Sequence, residues 1–230
     1  MKKCLVSLLV VIMMMATIGT SSAVTIVGEA STTPTEANPT AAVNGGENAF
    51  VDGDVELGSI LYFGWYKEEP IRWYVVERTE SEATLLAVEL IEVKQYHSSK
   101  ERTPWGQSAL CCWLNEAFVN EAFNLVEFTS IVPMEIDGVQ CYATIPSKEE
   151  IESWKVYIGN DLHANGTAYS RQNGLYIGSK TGCSPYWLRT NETSEYASFV
   201  GADSGKIYVK NNPPTSTDNG VRPVIHVQVR

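Results

Sequence analysis

The side chains best able to do chemistry in this chain are three histidines, four cysteines beyond the N-terminus, two arginines set among apolar residues, and a group of loop tyrosines. His97, His163 and His226 stand far apart, with no His-Glu-x-x-His spacing. Zinc ligation or general-base work would need partners assembled from elsewhere in the fold, so surface or packing roles are expected. No Gly-x-Ser-x-Gly elbow, P-loop or Gly-x-Gly-x-x-Gly occurs, and with them go the common nucleophile and phosphate-cradle patterns. No catalytic residue, metal site or cofactor is expected.

Cys111, Cys112, Cys141 and Cys183 allow three pairings if the chain is exported. Cys111 and Cys112 are neighbours on an expected helix and cannot easily pair with each other. Buried thiols or a single Cys141–Cys183 bridge remain as alternatives. Arg189 and Arg222 lie inside apolar, strand-like segments, where each guanidinium is expected to pair bidentately with an acid or with backbone carbonyls. Tyr169, Arg171, Asn173 and Tyr176 are less constrained. Aromatic faces beside planar polar groups suit sugar stacking or protein contact; packing of the loop onto the domain is the more ordinary use.

The elements that must position these groups follow from the pattern. Residues 1–23 open with Lys2 and Lys3, continue in an apolar run over 5–18 and end in Ser21-Ser22-Ala23. That order reads as a secretory signal cleaved before Val24, and the apolar run is short for a membrane span. The remaining chain carries 15 basic and 27 acidic side chains, a field that repels phosphate backbones and makes nucleic acid an unfavourable partner. Residues 24–53 are rich in Thr, Pro, Ala and Gly and have no aromatic residue before Phe50; they read as a flexible tether. A single domain is expected over 54–230.

Within it, residues 71–78 and 83–91, separated by Thr79-Glu80-Ser81-Glu82, form a β-hairpin signature. Ser108 can cap a helix that places Leu110, Trp113, Leu114, Ala117 and Phe118 on one face. A short helix is expected over 125–131 and a strand over 139–145. Ser147 with Glu150 makes a capping box for a helix through Trp154. Residues 157–184 read as a long polar loop, and strands are expected at 186–189, 206–210 and 221–229. Strands, then helices, then strands is an α+β plan: a compact mixed or antiparallel sheet with two or three short helices.

The segment Trp105-Gly106-Gln107-Ser108-Ala109-Leu110-Cys111-Cys112-Trp113-Leu114-Asn115 resembles a W-x-x-S-x-L-R-x-W-L-N motif of the bacterial domain-of-unknown-function family numbered 6273. Phe63-Gly64, Ile71-Arg72-Trp73, Ile145-Pro146-Ser147, Trp187-Leu188-Arg189 and Val221-Arg222-Pro223 are similar to further motifs of that family, in order. Cys111 stands where the family motif has arginine. The resemblance implies an exported or cell-surface protein without assigned activity, and a C-type-lectin-like or formylglycine-generating-enzyme-like fold. Formylglycine-generating enzymes use a cysteine pair for copper, but no motif here maps onto that pair. The calcium signatures of lectins are missing, and Asp218-Asn219-Gly220 suits a turn better than a cation needing six or more oxygens. The expected function is a non-catalytic extracellular binding module for a glycan or protein, with 157–184 as its ligand-facing surface. The alternative is an enzyme on a formylglycine-generating-like scaffold.

Overall fold

The computed structural model describes residues 42–44, 50–52, 55–101, 103–190 and 196–229. The expected signal at 1–23 and most of the expected tether lie outside the described residues. Within the stretch read as tether, β1 (Ala42–Asn44) and β2 (Phe50–Asp52) pair as an antiparallel ladder.

The domain begins with three successive strands. β3 (Ile60–Tyr66), β4 (Glu69–Arg78) and β5 (Glu82–Ala87) pair antiparallel as a meander. The expected hairpin turn is present: the Thr79 amide donates to the Glu82 carbonyl at 2.8 Å. The second strand ends at Ala87 rather than Ile91, and β6 (Glu92–Val93) then leaves for a second sheet. Across β5 every residue from Ala83 to Ala87 is buried, because both faces of the sheet are covered. Val75, Leu85 and Ile225 enter one core cluster, while Val76, Leu86 and Val224 enter another. A strand covered on both faces reads as a continuous apolar run, as this one does.

Helices cover the first face. α1 (Ala109–Trp113) continues through a π-helical turn at Leu114–Phe118 into α2 (Val119–Ala122). Ser108 caps it, its hydroxyl accepting from the Cys111 amide at 3.0 Å. The buried side chains are Leu110, Cys111, Leu114, Asn115, Phe118, Val119 and Ala122. Trp113 is only half-buried and Ala117 is exposed, which corrects the expected face. The π turn inserts an extra residue per turn and rotates the apolar stripe. α3 (Leu125–Ser130) follows, then β7 (Ile131–Val132), β8 (Met134–Ile136) and β9 (Val139–Cys141).

The second face is covered by α4 (Lys148–Trp154), whose capping box forms as expected: Ser147 Oγ accepts from the Glu150 amide, and Glu150 Oε2 accepts from the Ser147 amide. The long loop region contains α5 (Ala168–Gln172). β10 (Tyr186–Trp187), β11 (Phe199–Val200), β12 (Ile207–Tyr208) and β13 (Gly220–Val221) build the second sheet, ordered β12-β11-β10-β13-β6. Within it β10 and β13 pair parallel. β14 (Val224–Gln228) returns to the first sheet between β5 and β7, giving the order β3-β4-β5-β14-β7. The architecture is α+β, with mostly antiparallel sheets and short helices.

His226 on β14 pairs in register with Thr84 and Val132. Burial pushes its pKa below the ordinary histidine value, with Arg189 acting in the same direction and Glu77, Glu82 and Glu150 opposing. The unfolded chain therefore binds this proton first as pH falls. The contribution to stability is full above about pH 6.5 and declines as pH drops towards the lower folded value. His226→Gln is expected to flatten the stability profile just below pH 6.5, as read from urea midpoints across that range.

Candidate functional site

The loop expected to face a ligand is largely committed to its own structure. Thr167 caps α5 through Ser170, and the Ser170 hydroxyl donates to the Leu90 carbonyl at 2.8 Å. Gly166 lies so close to the core that a Cβ there would meet Leu175 at 2.2 Å and Ser170 Oγ at 2.5 Å. Arg171 donates from Nε to the Gly166 carbonyl at 3.0 Å and from Nη2 to Asn165 Oδ1 at 3.1 Å. Asn173 donates to the Tyr169 carbonyl at 2.8 Å and closes the C-terminus of α5. Tyr176 is exposed, and its backbone amide is tied to the Asp218 carbonyl. Tyr169 is half-buried, and its ring meets Tyr66 edge-on at 6.2 Å. Arg171, Asn173 and Tyr176 are exposed, but Arg171 and Asn173 also hold α5 together, and Tyr169 packs towards β3.

Beside Tyr169 a cleft of about 360 Å³ opens between the β3–β4 hairpin and residues 166–168. Its walls include Tyr62, Tyr66, Ile71, Arg72, Glu89 and Thr167. The Arg72 guanidinium pairs with Glu89 through both Nε and Nη2, and this pairing pushes the arginine pKa up. The arginine side chain remains 43% exposed, so donors are left for a ligand. The Tyr66 hydroxyl donates to Glu92 Oε2 at 2.9 Å, while Glu92 Oε1 accepts from the Val93 amide. Burial, and then the Glu92 charge, push the Tyr66 pKa far up, which keeps the phenol protonated. Lys67 pairs with Glu121 at 2.5 Å and lies 5.1 Å from the Tyr66 ring centre and 5.6 Å from that of Tyr169.

The hairpin that presents Lys67 is strained. Lys67 and Glu68 occupy its two turn positions with φ of 47° and 69°, a conformation usually supplied by Asn-Gly. Side chains in such positions cost about 1–2 kcal/mol each and tend to collect at functional sites. Gly64 needs its freedom too: φ is +76°, and a Cβ would meet the Phe123 ring at 2.5 Å.

Most of the motif residues sit in the interior. Trp187 donates from its indole to the Lys94 carbonyl at 2.8 Å. Asn115 bridges the helix to residues 142–143 with three hydrogen bonds and makes a fourth to the Cys111 carbonyl within the helix. Arg189 forks onto Glu150 and donates to the Ile145 carbonyl at 2.8 Å. Arg222 is 2% exposed; it donates to the Ala87 carbonyl at 2.9 Å and to the Tyr186 hydroxyl at 3.2 Å. Pro223 supplies a carbonyl to the Ala87 amide. Leu114 is fully buried, and Trp113 stands at the rim under Lys94, whose ammonium is 5.1 Å from its ring centre. A second, wider cavity of about 780 Å³ is lined by Trp105, Asp137, Ser147, Arg189 and Thr190; its guanidinium is already satisfied by Glu150.

These interior residues fall within residues 80–229, which match the family model described as Domain of unknown function (DUF6273). The chain belongs to the DUF6273 family. No curated protein and no solved structure matches it. The cleft straddles the edge of the DUF6273 match, since Tyr62, Tyr66 and Arg72 precede residue 80 whereas Glu89 and Thr167 lie inside it.

Cys141 and Cys183 are not bridged: both are thiols. The sulfur of Cys141 instead lies 3.8 Å from that of Cys111, while Cys183 turns to the Thr181 carbonyl. The three histidines stay apart. His97 Nδ1 accepts from the Ala109 amide, His163 pairs with Asp161 at 2.7 Å, and His226 lies in β14. Among the described residues no group of three His, Cys, Asp or Glu side chains is arranged to hold a metal, and no helix is long and apolar enough to cross a membrane. Sequence reasoning missed Tyr66, Arg72, Glu89 and Glu92. Charged residues placed inside apolar strand segments, Arg72 and Glu92, were the available signal.

Proposed function

We propose that this chain is a non-catalytic binding module of an exported bacterial protein, acting at the cell surface or beyond, and that it takes a glycan in the cleft between the β3–β4 hairpin and residues 166–168. The observation that carries this reading is the pairing of tyrosine walls with a half-exposed Arg72–Glu89 fork. A sugar ring has an apolar face for an aromatic wall and paired hydroxyls for a planar guanidinium or carboxylate. A volume of about 360 Å³ falls at the small end of ligand pockets and suits one or two rings. The acidic balance of the chain argues against nucleic acid as the ligand.

Screening the domain on a glycan array, beside an Arg72→Ala variant, tests the proposal. The variant should bind the retained glycan about tenfold or more weakly, as expected for a lost charge-assisted hydrogen bond. Its melting temperature should change little, because a partly exposed ion pair contributes about 0–1 kcal/mol. Tyr176→Ala should leave binding intact, and a calcium chelator should have no effect. Equal binding by Arg72→Ala and the parent would remove the cleft from consideration, and an empty array with capture of a defined protein ligand would favour a protein-binding module.

A further inference from the structure

We infer that Cys111 and Cys141 are the site of a disulfide that staples α1 to β9 once the protein meets an oxidising disulfide partner. The two sulfurs come from elements 30 residues apart and lie 3.8 Å from each other in the core. A disulfide needs an S–S separation of about 2.05 Å, so the two sulfurs must close by less than about 2 Å from the 3.8 Å at which they already stand. Cys111 sits in the first turn of α1, its amide fixed by Ser108 Oγ at 3.0 Å. Cys141 ends β9, paired in register with Met134. Both positions are therefore held by regular structure, and the sulfurs cannot drift apart without disturbing it.

The surroundings favour chemistry at Cys141. Its thiol pKa is lowered, first by the hydrogen bond with Cys111 and then by the Trp105 indole and by Arg189, with burial opposing. The Trp105 N–H is buried without a full hydrogen bond among the described residues and acts in the anion's favour. In the exchange, the Cys141 thiolate attacks one sulfur of a small-molecule or protein disulfide and releases one thiol. The Cys111 thiolate then attacks the Cys141 sulfur of the mixed disulfide and releases the second thiol. The oxidant's disulfide is reduced by two electrons, the two cysteines are oxidised by two, and their two protons leave with the released thiols. Both sulfurs are almost fully buried in the native state, so exchange occurs during folding or in a locally opened state. Cys112 and Cys183 are half-buried and take no part.

The test is to unfold the reduced full-length chain, refold it with oxidised and reduced glutathione, block remaining thiols, and digest without reductant. A Cys112→Ser variant, run in parallel, removes the ambiguity of neighbouring cysteines. Both proteins should yield a reductant-sensitive peptide joining the Cys111 and Cys141 segments, with Cys183 blocked as a free thiol. The oxidised form should melt about 10 °C above the reduced form, as expected for closing a loop of this length in a domain of this size. Blocked thiols at both Cys111 and Cys141 after refolding in excess oxidised glutathione, or a linked peptide containing Cys183, would overturn the inference.

Discussion

Asn115→Ala is expected to destabilise the domain by about 3 kcal/mol or more, a large share of the total for a domain of ordinary stability. Asn115 is 7% exposed and uses both ends of its amide. Nδ2 donates to the Cys111 and Ala143 carbonyls, each at 2.9 Å. Oδ1 accepts from the Tyr142 and Ala143 amides at 2.6 and 3.1 Å. The Cys111 carbonyl keeps a helical donor in Leu114, but the Tyr142 amide and both polar groups of Ala143 lose theirs. Buried backbone groups left without partners cost about 1–3 kcal/mol each. Asn115→Leu, of similar volume, should lose as much, which separates lost hydrogen bonding from lost packing. Urea midpoints of the two variants check this. A leucine variant as stable as the parent would mean that water reaches residues 142–143.

Trp187→Ala should cost about 3–5 kcal/mol, the range for deleting a fully buried tryptophan. Trp187 is 0% exposed, its ring stands edge-on to Tyr96 at 6.0 Å, and its indole N–H is satisfied by Lys94. It joins β10 of the second sheet to the first core cluster, so its loss loosens the two sheets from each other. Trp113→Ala should cost clearly less, because Trp113 is half-buried beneath Lys94. Denaturant unfolding of the two variants side by side gives the comparison. Equal losses would place Trp113 in the core after all.

The contrast between these tryptophans shows what was legible. The β4–β5 hairpin and the Ser147–Glu150 capping box were readable because local spacing decides them. The helix from Ser108 was readable as a helix, but its buried face was not. The π turn at Leu114–Phe118 shifts the phase, and polar Asn115 goes inside because strand-end backbone 27 and 28 residues away satisfies it. Apolar periodicity carries no record of either fact. Arg189 and Arg222 were readable as interior arginines, since a charge within an apolar strand segment needs buried partners; the choice of Glu150 for one and the Ala87 carbonyl for the other is tertiary. The family motifs led to a DUF6273 match, while the expected likeness to C-type-lectin folds found no counterpart among solved structures. The cleft was the least legible feature. Its walls come from residues 62–72, 89–91 and 166–168, and only the closing of the first sheet against α5 brings them together.

Hydrogen exchange of the whole protein, with and without the glycan retained most strongly on the array, tests the central claim most directly. Binding should slow exchange in β3, β4 and residues 166–168, and Arg72→Ala should need about tenfold or more glycan to give the same slowing. Protection confined to residues 105–107, 136–137 and 189–190 around the second cavity, or to 176–177 at the tip of the long loop, would contradict it.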